Sequence, residues 1–267
     1  MTMNNFDIEA VRNHWMQQAK KYGLSPEASW SDYRVIEMEI REITSHLSEE
    51  DRVLDIGCAN GYSTVQYAAQ KKIEIRGLDY IPNMVELAKQ RLQNLSIPLS
   101  GKVEFCVGDI TNLDEPNLYY DKVICTRVLI NLGEWVNQCK GLNESIRVLK
   151  PGANLLLSEA TLQGWNQINK LRREWQLPDI PMPSFNRYID ENLLISEATK
   201  KCDLIDVINF SSTYYVGTRV IKPLLAKALS VEVDVADPNM ELNKWFANLP
   251  AWGDCGIQKL FIFKKRK

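Results

Sequence analysis

Val53-Leu54-Asp55-Ile56-Gly57-Cys58-Ala59-Asn60-Gly61-Tyr62-Ser63-Thr64 is the stretch from which the fold of this chain is read. An apolar run passes directly into a segment with glycines at 57 and 61 and then into helix-compatible residues. That pattern predicts a buried strand, a tight turn and the start of a helix. Glycine at such a turn lets the backbone bend sharply and lets a ligand come close to it. Asp55 supplies a carboxylate at the strand's end. Asp79 closes the next strand in Gly77-Leu78-Asp79-Tyr80, where an acidic side chain can take both hydroxyls of a ribose. The two carboxylates are expected to flank one crevice holding a nucleotide-type ligand.

The spacing narrows that ligand. A dinucleotide fingerprint is G-x-G-x-x-G, because a pyrophosphate has to sit on a helix amino terminus. Here the spacing is G-x-x-x-G and an aspartate precedes the turn. An anionic phosphate is poorly served beside Asp55, whereas a cationic ammonium or sulfonium is well served. A nicotinamide-dependent oxidoreductase is therefore the weaker enzyme alternative.

Outward from this stretch, strand-like runs recur at 52–56, 73–78, 103–107, 122–125, 153–158, 204–210 and 257–263, with helical patterns at 63–69, 83–93 and 134–149. Strands alternating with helices of this length imply an α/β fold, a doubly wound, mostly parallel seven-stranded sheet covered on both faces. Such sheets bind ligands beyond the carboxyl ends of their strands. Two amphipathic helices, 8–21 and 35–47, precede the first strand, broken apart by Gly23, Ser25 and Pro26. Two long connections, about 164–190 and 211–252, interrupt the later alternation and read as cap insertions. The expected organisation is a helical lid at 1–49, a ligand-binding core at 50–160, and completion of the sheet at 161–267.

The loop Asp55-Ile56-Gly57-Cys58-Ala59-Asn60-Gly61, the acid Asp79 with Tyr80, the turn Gly108-Asp109-Ile110, the strand Tyr120-Asp121-Lys122-Val123-Ile124 and the segment Arg147-Val148-Leu149-Lys150-Pro151-Gly152 occur in order. In this the chain resembles the class I S-adenosylmethionine-dependent methyltransferases over roughly residues 50 to 160. Ala59 departs from the usual glycine. The resemblance implies S-adenosylmethionine as cofactor, S-adenosylhomocysteine as product and no metal. It implies that Asp55 and the loop Gly57, Cys58, Ala59, Asn60 and Gly61 lie against the methionine part and ribose, and that Asp79 holds the ribose hydroxyls. Tyr80 and Met84 would pack on the adenine, with Gly108, Asp109 and Ile110 at its edge. Asp109 also reads as a plain turn-former. Thr126 and Arg127 would face the methyl group and the acceptor.

Candidates for the acceptor side are more scattered. His14 reads equally as a half-exposed helix residue and as a catalytic group, alongside Arg127 and Asn131. Trp30, Asp32, Tyr33 and Arg34 form a polar and aromatic cluster in which Trp30 is a cofactor candidate, Tyr33 a substrate candidate and Asp32 a possible helix cap. Arg187, Tyr188, Tyr214, Tyr215 and Arg219 fall in the insertions and are candidate acceptor-binding residues, the arginines suiting a phosphate or carboxylate. The expected reaction is methyl transfer to oxygen or nitrogen of a small polar, anionic metabolite, such as a sugar or glycan precursor or a phosphoethanolamine-like molecule. A non-enzymatic adenosyl-ligand-binding or interaction protein is the alternative from another class.

Composition agrees with this. Lys+Arg 32 against Asp+Glu 34 gives a formal net charge of -2, so no basic field exists to hold nucleic acid. The tail Lys264-Lys265-Arg266-Lys267 reads as a solvated terminus. No apolar run approaches the roughly 20 residues of a membrane span, and no leader pattern opens the chain, so a cytoplasmic protein without membrane insertion is expected. The 6 cysteines form no C-x-x-C pair and are expected to be mostly buried free thiols.

Overall fold

The computed structural model describes residues 6–96, 98–232 and 237–267. The first five residues of the expected lid and 233–236 of the second insertion lie outside the described residues. Seven strands form one sheet: β1 (Arg52–Ile56), β2 (Glu74–Asp79), β3 (Lys102–Val107), β4 (Tyr120–Thr126), β5 (Leu149–Ala160), β6 (Cys202–Ile208) and β7 (Gln258–Lys265). Their order is β3-β2-β1-β4-β5-β7-β6. The pairs among β1 to β5 are parallel, whereas β7 runs antiparallel to both β5 and β6. The order reverses at β1, which is where an open sheet of this kind leaves its crevice.

Helices cover the sheet because their apolar positions recur at helical spacing. α1 (Ile8–Tyr22) and α2 (Tyr33–Ser45) precede the sheet, and α3 (Tyr62–Gln70), α4 (Pro82–Gln93) and α5 (Trp135–Arg147) connect its parallel strands. Asp7 caps α1, its carboxylate accepting from the Glu9 and Ala10 amides. The core is built on fully buried Val53, Leu54, Val123, Ile124, Leu155 and Leu156 from the central strands, with Val35, Ile36 and Ile43 of α2 packed against them.

After β5 come α6 (Leu162–Glu174), α7 (Glu191–Ala198), α8 (Ser212–Val216), a π-helical turn (Gly217–Ile221), α9 (Lys222–Leu229) and α10 (Glu241–Ala247). β5 begins four residues earlier than the sequence suggested, because Pro151 and Gly152 read as a turn although the strand runs through them. The basic tail is also different from expectation. Lys265 lies in β7 and donates to the carbonyls of Ile146, Arg147 and Leu149, and Arg266 pairs with Asp203 at 2.7 Å. Cys58, Cys125 and Cys202 are buried and the other three cysteines partly so, all as free thiols.

Candidate active site

The carboxyl ends of β1 to β4 meet at a cavity of about 250 Å³. Its walls include Gly57 and Ala59 from the loop after β1, Asp79 and Tyr80 from the end of β2, Met84 from α4, and Gly108, Asp109 and Ile110 after β3. Thr126, Arg127 and Asn131 close the side after β4. Sequence reasoning named all of these. It expected a helical lid at 1–49 but did not name the residues of the opposite wall, which α1 supplies through Ile8, Val11, Arg12 and Trp15, with Ser29 beside it. The amphipathic spacing of α1 was the available signal, but spacing alone does not say what the apolar face covers.

The loop geometry follows from its residues. Gly57 has φ 80°, and a Cβ there would lie 2.2 Å from the Val128 side chain. Ala59 adopts φ 46°, a left-handed conformation that costs a non-glycine residue roughly 1–2 kcal/mol. That conformation accounts for glycine being usual at its position. The Gly57 and Cys58 amides both donate to Leu78 O, at 2.7 and 3.0 Å, and so bind the loop to β2. The Ala59 amide donates to Asp79 Oδ2 at 2.9 Å and the Ile81 amide to Asp79 Oδ1 at 2.8 Å. These two bonds aim the Asp79 carboxylate and leave each oxygen able to accept again. Burial nonetheless raises its pKa to about 6.

Asp55 behaves otherwise than expected. It does not line the cavity; its buried carboxylate accepts from the Thr64 hydroxyl at 2.6 Å, and burial pushes its pKa up to about 7. It ties β1 to the first turn of α3 and, contrary to the expectation, does not face the ligand cavity. Cys58 and Gly61 are likewise off the cavity, a Cβ at Gly61 meeting Phe105 and Ala88. Asn60 is buried with its amide turned toward Gly23 and Ser25. Asp109 lines the cavity, but its Oδ1 accepts from the amide and hydroxyl of Thr111, both at 2.8 Å, so it is also a turn-former.

Arg127 has φ 57° and pairs with Glu39 of α2. Glu39 is fully buried and also accepts from Ser158 Oγ at 2.6 Å and Gln258 Nε2 at 3.2 Å. The Trp30 ring lies 5.4 Å from the Arg127 guanidinium rather than in the cavity wall. Asn131 donates to Arg127 O at 2.7 Å and accepts from Trp15 Nε1 at 3.3 Å, joining α1 to the 3-10 turn Leu129–Asn131. Glu159 caps that turn, its Oε1 accepting from the Val128 and Leu129 amides at 2.9 and 2.7 Å, and burial raises its pKa to about 8.

His14 stacks on Phe185, ring centroids 4.1 Å apart, and meets Trp15 edge-on. Desolvation lowers its pKa, and it does not line the cavity. The candidate acceptor-binding residues are also elsewhere: none of Arg187, Tyr188, Tyr214, Tyr215 and Arg219 lines the cavity, and neither does Tyr33. Tyr33 donates to Asn239 at 2.8 Å, Arg187 lies over the Phe6 ring, and Tyr188 packs edge-on against Trp165. Arg219 pairs with Asp32 at 2.5 Å, and the Tyr214 hydroxyl donates to the same carboxylate at 2.7 Å. Tyr215 is buried against Arg219. Asp32 therefore makes no side-chain cap to α2; it joins α2 to the insertion, none of whose described residues lines the cavity.

A seven-stranded sheet of this order, with a glycine turn and an acid at the ends of its first two strands, is the arrangement of the class I, S-adenosylmethionine-dependent methyltransferase fold. The family described as methyltransferase domain matches residues 47–202, and the chain belongs to it. It is similar to the O-methyltransferase rstn1 of Aspergillus nomiae, 29% identical over 54% of this chain and 64% of that protein. It is also similar to a demethylmenaquinone methyltransferase of Staphylococcus haemolyticus, 26% identical over 67% of this chain and 73% of that one. A Deinococcus radiodurans demethylmenaquinone methyltransferase matches over 42% of its own length, so the chain spans less than two thirds of several of these relatives. Among solved structures, the N-methyltransferase NodS of Bradyrhizobium japonicum with S-adenosylhomocysteine shares the fold at TM-score 0.57 and 14% identity, covering 96% of this chain and 100% of NodS.

The cavity suits S-adenosylmethionine by its donors and walls. Asp79 keeps acceptor capacity for two hydroxyls, Met84 and Ile110 offer apolar faces for a flat ring, and the turn presents to the cavity only Gly57 and the small Ala59. Among the described residues no three His, Cys, Asp or Glu side chains converge to hold a metal, and no helix is long and apolar enough to cross a membrane.

Proposed function

We propose that this chain transfers a methyl group from S-adenosylmethionine to a small polar acceptor, with oxygen favoured as the accepting atom and nitrogen the second choice. The observation that carries this reading is Asp79, a carboxylate held by two backbone amides at the mouth of a glycine turn, in a cavity walled by Met84, Ile110 and α1. The name of the Aspergillus nomiae relative, an O-methyltransferase, supports oxygen. When bound, the cofactor supplies an electrophilic methyl on a sulfonium.

The chain's own contribution is alignment. Among the described residues no histidine or lysine lines the cavity, so proton removal there falls to carboxylates or to solvent, and holding the acceptor at near-attack distance does most of the work. The anionic acceptor expected from the arginines has weaker support, because Arg127 faces Glu39 and Arg219 faces Asp32. A sugar-like or otherwise uncharged hydroxyl compound fits better than a phosphoethanolamine-like one. The same reading takes the protein as cytoplasmic and its partner as that small molecule.

Calorimetry tests the cofactor: S-adenosylmethionine and S-adenosylhomocysteine should bind, and NAD and NADP should not. Methyl-labelled cofactor offered with hydroxyl, amine and phosphorylated compounds then tests the acceptor, label being expected on neutral hydroxyl compounds. Binding of NAD in place of the adenosyl ligands would overturn the reading. Tight adenosyl binding with no transfer would favour a binding protein.

A further inference from the structure

Asn60 lies between Ala59, which lines the cavity, and Gly61, which opens α3, yet its side chain points away from the ligand side. It is 1% exposed, and its Nδ2 donates to Gly23 O at 2.8 Å and Ser25 O at 2.7 Å. Arg91 of α4 completes the arrangement. Its Nε donates to Asn60 O at 2.9 Å, its Nη2 donates to Leu24 O, and its guanidinium lies over the Tyr62 ring. The three successive carbonyls of Gly23, Leu24 and Ser25, just past the end of α1, are thus all taken by Asn60 and Arg91.

Gly23 has φ 53° and open space where a Cβ would be, so the chain can pivot there without a side chain to obstruct it. The rest of α1 is held differently, by ring contacts such as Arg12 over Tyr80 at 5.3 Å and His14 on Phe185, by the Trp15 Nε1 hydrogen bond to Asn131 at 3.3 Å and by the buried Val11 and Ala19. Ring contacts are worth about 1 kcal/mol each at partly exposed sites. α1 is therefore a cavity wall whose C-terminal end is tied by backbone carbonyls to the glycine loop and α4, and whose length rests on side-chain contacts.

We infer that Asn60 is a positioning residue that fastens the hinge of α1 to the glycine loop, so that a ligand ordering that loop also sets α1 against the cavity. The inference rests on the proposed cofactor. Asn60 needs no contact with the ligand for this; it transmits the position of the loop to residues 23–25, and Arg91 holds the same carbonyl row from behind.

Amide hydrogen exchange across residues 8–22, with and without S-adenosylhomocysteine, together with calorimetry, tests it. In the wild-type protein the ligand should slow exchange in α1 at least tenfold. In Asn60→Ala that ligand-dependent slowing should vanish and affinity should fall about tenfold. Arg91→Ala, which alters nothing lining the cavity, should lose most of the slowing as well, and it carries the test if Asn60→Ala does not fold. A lower melting temperature with the ligand-dependent slowing intact in both variants would make the contacts merely structural and overturn the inference. A wild-type protein that fails to bind S-adenosylhomocysteine would instead overturn the cofactor reading beneath it.

Discussion

Asp79 illustrates how much of the site depends on single groups. Its carboxylate is aimed by the Ala59 and Ile81 amides, and hydrogen bonds to a charged acceptor contribute roughly 1.5–3 kcal/mol. Asp79→Ala should therefore weaken S-adenosylhomocysteine binding by about that amount, a ten- to hundredfold rise in Kd by calorimetry. A raised pKa of about 6 adds a direction: in the proposed role ribose hydroxyls would donate to the ionised form, so wild-type affinity should decline below about pH 6, and in the alanine variant that decline should be absent. Unchanged affinity in the variant would make Asp79 a turn residue. At this scale the sequence was informative where a backbone requirement selects the residue, as at Gly57, and misleading where a side chain has two directions open to it. Asp55 and Asn60 sit in the same loop, and nothing in their spacing reveals that both turn from the cavity.

Between α2 and the second insertion, Asp32, Arg219, Tyr214, Asn243 and Lys222 form one buried chain of hydrogen bonds. Removing one member of a buried ion pair leaves the other charge uncompensated, which costs about 3–5 kcal/mol. Arg219→Ala should thus lower the melting temperature markedly and leave S-adenosylhomocysteine affinity nearly unchanged at temperatures where the variant is folded, because no described residue of the insertion lines the cavity. Equal stability with lost affinity would contradict this. The elements themselves were largely legible: β1 falls on the residues its apolar run marks, and α4 differs from expectation by one residue. Their partners were not. Asp32 and Arg219 are 187 residues apart, and a pairing at that distance leaves no local pattern to read.

Across the whole molecule, three buried carboxyls share one direction of shift. Burial raises Asp79 to about 6, Asp55 to about 7 and Glu159 to about 8, so each keeps its proton in the folded chain at pH values where the unfolded chain has lost it. The folded state then binds more protons than the unfolded one between about pH 4 and pH 8, and stability falls as pH rises through that window. The ligand-free melting temperature should decline from pH 6 to pH 8.5, and Glu159→Gln, which cannot ionise, should reduce that decline in a melting series. A steeper decline in the variant would remove Glu159 from the account. The antiparallel strand β7 has a different consequence. β6 touches the sheet only through β7, yet β7 follows it by roughly fifty residues, so during synthesis at about 5–20 residues per second β6 waits several seconds without a neighbour. Until Gln258–Lys265 is added, β6 is a strand whose hydrogen-bonding edge in this sheet has nothing to pair with.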